Sequence, residues 1–200
     1  MRKVIIIPII LLLSSLCLYG QSGGNKLELG AGYAPFFLTS VDDGQTVPYK
    51  CNAYIEWRYV FGANKAGRAF DVGAKLDYKT FPTSTYDMTA VNYSGTQHDI
   101  ALLVLADLNF NPGGKVNPFI GIGLGPGVLI NNWKSSEVLH PEVLSPDYYI
   151  MPTGLYPEYV FIASPRVGIE LFRHLRLSAS VDCSLSDTRW PVCFSIGWSF

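Results

Sequence analysis

The chain has 200 residues, of which 48% are hydrophobic, 14% aromatic and only 16% charged, with 19 glycines, 13 prolines and a formal net charge of −1. The charged fraction lies below the roughly 25% of ordinary soluble domains, and a charge this close to neutral excludes the basic surface that a nucleic-acid partner demands. No block of like charges marks a disordered tail, and the length suits one domain, or at most two small ones.

In chain order, Met1-Arg2-Lys3 is a short positive segment and Val4 to Leu13 an unbroken apolar run. That run is too short for a spanning helix, which needs about 20 residues. Small residues follow it, and the pattern predicts residues 1–20 as a cleaved signal peptide, with 21–200 as the mature domain beginning at Gln21. A lipid-attached Cys17 would want a small residue before it, where Leu16 stands. The longest later apolar stretch, Ile100 to Ala106, is short and bracketed by Asp99 and Asp107. An exported chain this apolar and aromatic, without a spanning helix, has one other way to cross a membrane: a closed β-barrel.

Period-two patterns follow along the mature chain, as strands with one apolar face require. Leu27, Leu29, Ala31 and Tyr33 alternate with Lys26, Glu28, Gly30, Gly32 and Ala34; Tyr49 to Tyr59 alternate with Lys50, Asn52, Tyr54, Glu56 and Arg58. Phe70 to Tyr78 oppose Asp71, Gly73, Lys75, Asp77 and Lys79, and Ile100 to Phe110 oppose Asp99, Ala101, Leu103, Leu105, Asp107 and Asn109. After a turn at Pro112–Gly114, Ile120, Ile122, Leu124 and Val128 oppose Phe119, Gly121, Gly123, Gly125 and Gly127. Val167, Ile169 and Leu171 then oppose Arg166, Gly168 and Glu170, and Leu175 to Cys183 oppose Arg176, Ser178, Ser180 and Asp182. Last, Val192, Phe194, Ile196, Trp198 and Phe200 oppose Cys193, Ser195, Gly197 and Ser199. These eight strands predict an all-β, eight-stranded antiparallel transmembrane barrel, an up-and-down meander.

Connections alternate in length. Short turns are expected at Gly62–Gly67, Asn111–Asn117 and Arg173–His174, and longer segments at Pro35–Pro48, Thr80–Gln97, Asn131–Glu158 and Ser184–Pro191. Both termini then share the short-turn, periplasmic side, and the longer loops face outward. Tyr33, Tyr49, Tyr78 and Trp190 would form the outer aromatic belt, and Trp57, Tyr59, Phe110, Phe172 and Trp198 the inner one. Pro126 and Pro165 fall inside proposed strands, where a missing N–H breaks the ladder; a place near the outer rim is expected for both.

The final strand, with Phe194, Ile196 and Trp198 alternating up to Phe200, resembles the C-terminal signal that barrel-assembly machinery reads in bacterial outer-membrane proteins. With the Pro118–Gly125 segment, the mature chain resembles the small eight-stranded outer-membrane β-barrel family, which includes the OmpA transmembrane domain and the OmpX-like and OmpW-like barrels. The resemblance implies outer-membrane lipid and lipopolysaccharide as surroundings, the assembly machinery as a partner, and no cofactor.

The inward-facing charges form the candidate site. Glu28, Glu56, Asp71, Asp77, Asp99, Asp107, Glu170 and Asp182 share the lumen with Lys50, Arg58, Lys75, Lys79, Arg166 and Arg176. They read either as a gated pore or as an ion-paired plug, and eight strands enclose only enough width for side chains to fill, which favours the plug. The inward glycines would make room for the long side chains. Gly121 to Gly127 fails the G-x-G-x-x-G spacing and is a strand. Cys51, Cys183 and Cys193 are expected as free, buried thiols, the first two on the lipid side and the third inward.

Some eight-stranded barrels are lipid A deacylases or palmitoyltransferases. The deacylase pattern, a His with a Ser two residues on, is missing at His98, His140 and His174, leaving His98 with Asp99 and Ser94 as the sole outer-side trio. No catalysis is expected. The outer segments carry Tyr86, Tyr93, Trp133, Tyr148, Tyr149, Ile150, Met151 and Tyr156, which suit ligand capture or the headgroup region equally. The sequence thus points to a structural or surface-interaction role through outer loops. Alternatives are a narrow passage for small or apolar solutes, a lipid-modifying hydrolase using His98, and a soluble lipocalin-type barrel with an exposed apolar belt.

Overall fold

The computed structural model describes residues 24–37, 51–61, 67–86, 91–138, 154–184 and 190–200. The expected signal peptide and the inward Lys50 lie outside them, as do Tyr49, Tyr148, Tyr149, Ile150 and Met151. The strands are β1 (Asn25–Phe37), β2 (Cys51–Val60), β3 (Ala69–Tyr86), β4 (Val91–Asn109), β5 (Val116–Val138), β6 (Gly154–Leu171), β7 (Leu175–Val181), β8 (Cys183–Ser184) and β9 (Pro191–Ser199). β7 and β8 are two pieces of one stave, interrupted at Asp182, where the Asp182 N–H still donates to Pro191 O at 3.1 Å. Each stave pairs antiparallel with the next, and β9 returns to β1 from Glu28↔Ser199 to Phe37↔Pro191. Eight staves therefore close on themselves and leave no sheet edge.

The period-two alternation decides which face is which. On β2, Cys51, Ala53, Ile55, Trp57 and Tyr59 are exposed while Asn52, Tyr54, Glu56 and Arg58 are buried. This polarity is the reverse of a soluble protein's. Val104 is 68% exposed, whereas Arg58 and Asp107 are fully buried. Ile55, Leu76, Leu102, Ile120, Phe161 and Ile196 continue the outward apolar band around the wall. Only hydrocarbon can cover a belt of that extent, so the barrel sits in a membrane and the soluble lipocalin-type reading fails. Tyr33 and Tyr78 lie exposed toward one margin of the band, and Trp57, Tyr59, Phe110, Phe172 and Trp198 toward the other.

The margin with the short turns is the turn end. There Phe172 (φ 53°) and Arg173 (φ 67°) are both left-handed, the pair of conformers that a tight hairpin between twisted strands favours, and the His174 N–H donates to Leu171 O at 3.1 Å. The β4–β5 turn is shorter than the expected Asn111–Asn117, because Val116 and Asn117 already pair with Leu171 and Glu170. Its Gly113 adopts φ 85°, and the Asn117 side chain accepts the Asn111 N–H at 3.0 Å.

Two expectations need correction. Much of the longer segments Thr80–Gln97 and Asn131–Glu158 is strand: β3 pairs with β4 up to Tyr86↔Asn92, β4 with β5 up to Val91↔Val138, and β5 with β6 up to Trp133↔Gly154. Thr- and Val-bearing stretches favour extended backbone, yet their polar and aromatic residues carry no apolar alternation to reveal it. Second, Pro126 and Pro165 lie within the outward apolar face of the wall and not at its rim. The β4–β5 register skips Leu102 and Leu103 opposite Pro126 and Gly125, and the β6–β7–β8 register skips Ser164 and Pro165, in both cases without a shift. A missing N–H removes a rung there without moving the strands.

Candidate functional site: the ion-paired lumen

At the turn end the lumen holds an arginine-centred network. Arg58, from β2, reaches Glu28 on β1 at 2.7 Å, Glu56 at 2.9 Å, Asp71 on β3 at 3.3 Å and Glu170 on β6 at 3.5 Å. Arg166, from β6, grips Glu56 with two nitrogens at 2.7 and 3.0 Å, and Asp107 on β4 with two at 2.9 and 2.6 Å. Arg176, from β7, reaches Asp107 at 2.5 Å and Glu56 at 3.5 Å, with its guanidinium 3.6 Å from the centre of the Phe119 ring. Lys26 pairs with Glu170. The planar guanidinium offers five donors, so three arginines can serve several carboxylates each where lysines could not.

Neutral groups complete it. The Tyr54 hydroxyl donates to Glu28 at 2.7 Å, and Ser199 Oγ donates to the other Glu28 oxygen at 3.1 Å. Glycine makes these approaches possible: a Cβ at Gly30 would lie 2.2 Å from the Tyr54 ring, and one at Gly121 only 1.9 Å from Asp107 Oδ1. The void among Glu28, Tyr54, Glu56, Arg166 and Arg176 amounts to about 10 Å³, the lower limit for a single water.

Farther from the turns the lumen changes character. On β4, β5 and β6, Ala101, Leu103, Leu105, Leu129, Val160 and Ile162 form a buried apolar cluster. The other walls carry a smaller ionic group. Lys75 and Lys79 reach Asp77 at 3.1 and 2.8 Å, Lys79 also pairs with Asp182, and the Ser164 hydroxyl donates to Asp182 at 2.6 Å. The Lys75 ammonium lies 4.4 Å from the centre of the Tyr54 ring, where it links the two groups.

Of the sequence-predicted set, the structure thus brings Glu28, Glu56, Arg58, Asp71, Asp107, Arg166, Glu170 and Arg176 into one cluster and Lys75, Lys79, Asp77 and Asp182 into a second. Asp99 stands opposite Lys79 in the β3–β4 register and accepts the Gln97 side-chain amide at 2.9 Å. Lys26, Tyr54, Phe119 and Ser199 were missed as partners, although strand parity already placed them on the inward face. Of the apolar cluster, parity placed Ala101, Leu103 and Leu105 inward but not Leu129, Val160 and Ile162.

The outer-side trio is not assembled. His98 Nδ1 and the Tyr78 hydroxyl share a hydrogen bond of 2.8 Å, with their rings stacked. Ser94 lies four residues away on the same strand, roughly 13 Å at 3.3 Å per residue, beyond the reach a nucleophile and its base need. The thiols also depart from expectation: Cys193 is buried and inward, but Cys51 is exposed and Cys183 half-buried, all three free. Phe194, Ile196, Trp198 and Phe200, the expected assembly signal, all face outward and are about half exposed.

Among solved structures, the fold matches Ail, the attachment invasion locus protein of Yersinia pestis, in complex with the heparin analogue sucrose octasulfate, with a TM-score of 0.51 and 13% identity over 88% of this chain and 99% of that one. Neisserial surface protein A matches with a TM-score of 0.50 and 11% identity over 88% and 96%. The outer membrane enzyme PagL gives 0.45 and 9% over 88% and 98%. No family model and no curated protein matches the chain. At these identities the likeness is one of fold, that of the small eight-stranded outer-membrane β-barrels.

Proposed function

We propose, from this outer-membrane barrel fold, that the chain is an integral outer-membrane protein with a sealed lumen whose role lies at its outer face. On this reading residues 1–20 are removed on export, the turn end and both termini face the periplasm, and the long hairpins project into the surroundings through lipid and lipopolysaccharide. The barrel-assembly machinery would read Phe194, Ile196, Trp198 and Phe200 during insertion. The observation that carries the reading is the extension of the β3–β6 wall: β3 and β4 stay paired for several residues past the outward Tyr78 and Ile100. Strand that polar has no use inside hydrocarbon, whereas rigid paired hairpins hold loops in place for contact.

The mutual pairing of the lumen charges favours this role over a passage for small or apolar solutes, since a conducting route would need unpaired width at the network. The distance between His98 and Ser94 disfavours a lipid-modifying hydrolase. Charge narrows the partner class. The segments 35–48, 80–97, 131–158 and 184–191 together contain eight acidic and two basic residues. Ail, its neighbour in fold, is seen with a polysulfated ligand; this chain's outer segments suit a cationic partner instead.

The test uses proteoliposomes carrying the full barrel, with labelled oligolysine and labelled sucrose octasulfate as probes. Oligolysine should bind, with affinity falling as salt rises, and the sulfated sugar should not. Retention of the sulfated sugar, or oligolysine binding no stronger than to empty liposomes, would overturn the partner class.

A further inference from the structure

We infer that the turn end carries a docking site for anionic glycerophospholipid, in which Arg173 and Lys115 meet the headgroup phosphodiester and Phe172 enters the apolar layer beneath it. The inference rests on the proposed orientation for one point, that the leaflet around the turns is the phospholipid one.

Charge is opposite at the two ends of the barrel. The turn segments 62–68, 111–116 and 172–174 contain Lys65, Arg68, Lys115 and Arg173 and no acidic residue, the reverse of the outer segments. Arg68, Lys115 and Arg173 are exposed. The carboxylates of this half, Glu28, Glu56, Asp71, Asp107 and Glu170, are at most 3% exposed, and each already pairs with a cation of the lumen. Among the described residues, no exposed side-chain carboxylate stands at this end.

Position favours a lipid over a soluble anion. The Arg68 guanidinium lies 5.8 Å from the centre of the outward Phe110 ring, and Phe110, Val116, Phe172 and Trp198 are between 43% and 67% exposed. Cations at the margin of an apolar, aromatic band stand at headgroup depth, where their charge attracts phosphate while their stems stay on apolar surface. A zwitterionic headgroup brings its own cation. One that carries only the phosphodiester charge is the better match for a rim of one sign.

The backbone singles out one turn. Among the described residues, Phe172 (φ 53°) and Arg173 (φ 67°) are the non-glycine residues with positive φ. Asn-Gly ordinarily fills such a pair, because left-handed backbone penalises a bulky side chain most. Phe and Arg kept there against the preference of the turn point to side chains needed for contact. Hydrogen bonds fix where they stand. The Phe172 N–H donates to Lys115 O at 2.8 Å, and Arg173 Nε and Nη2 donate to Gly113 O at 3.0 and 2.7 Å. The two turns thus form one platform, with Phe172 at the lipid margin and Nη1 of Arg173 outside the Gly113 contact.

The experiment follows the backbone amide signals of Lys115, Phe172 and Arg173 by NMR in the full barrel, held in nanodiscs of phosphatidylcholine with rising fractions of phosphatidylglycerol. The three signals should shift saturably, less so as salt rises, while those of Tyr78 and His98 at the other margin stay in place. Soluble glycerol phosphate, added to phosphatidylcholine nanodiscs, should act only at concentrations roughly tenfold higher or more, since the bilayer confines the lipid headgroup beside the site. The double variant Phe172→Asn with Arg173→Gly restores the preferred turn chemistry and should lower the response of Lys115 several-fold. Should it fail to fold, Arg173→Gln and Lys115→Gln, both at exposed positions, should each lower the response a few-fold. Nanodiscs present phosphatidylglycerol at both ends, so the result is independent of which side of the membrane the turns face in the cell, and of the oligolysine test. Equal spectra in the two lipids, an equal response at Tyr78 and His98, an equal effect of glycerol phosphate, or an undiminished response in the folded variants would overturn the inference.

Discussion

The two halves of the lumen are built from different chemistry. At the turn end three arginines tie five carboxylates from β1, β2, β3, β4 and β6 into one cluster. Farther up, β4, β5 and β6 present an apolar cluster, and a smaller ionic group joins Lys75 and Lys79 to Asp77 and Asp182. The first half is a cross-barrel tie, in which each guanidinium spans strands that are not neighbours. The second resembles an ordinary protein core turned into the barrel. Removing one partner from a buried ionic cluster leaves its counter-charges stranded, whereas shortening an apolar side chain leaves only a cavity, so the halves should respond differently to substitution.

Arg58→Ala should show the largest effect, because it removes one counter-charge from four buried carboxylates at once. A loss of about 3–5 kcal/mol is expected, read as a lower urea midpoint for the barrel refolded in lipid and as a lower temperature for its heat-induced shift on SDS gels. Leu103→Ala, in the apolar half, should cost about 2–4 kcal/mol by cavity formation, with the gel shift retained. A larger loss from Leu103→Ala than from Arg58→Ala would break the distinction between the halves. Tyr54→Phe keeps the ring under Lys75 and removes only the hydrogen bond to Glu28; about 1.5–3 kcal/mol is expected for a bond to a charged group, measured by the same urea titration. A negligible change there would mean that Ser199 and Arg58 alone satisfy Glu28.

The same contrast explains what could be read from the sequence. Strand parity located nearly every lumen charge, because Glu56 and Arg58 stand between Ile55, Trp57 and Tyr59, and only one face can meet lipid. On the apolar cluster it reached only part: Ile100 to Ala106 is apolar on both faces, so Ala101, Leu103 and Leu105 are set inward by the phase that Asp99 and Asp107 fix, while Leu129, Val160 and Ile162 fall outside the alternating runs. It failed on the strand extensions, where Thr83 to Tyr86 are polar or aromatic with no membrane to sort them. Which carboxylate each arginine chooses depends on the stagger of strands across the barrel. Nothing local in the sequence joins Arg166 to Glu56, and their residues are 110 positions apart.

The most direct test of the sealed lumen is single-channel recording of the purified full-length barrel in planar bilayers, with Arg58→Ala alongside. The wild type should insert without unitary current steps, since its charges close on one another and the void among them is about 10 Å³. Stable, reproducible steps in the wild type would contradict the account, and the arginine network would then have to be read as the lining of a pore.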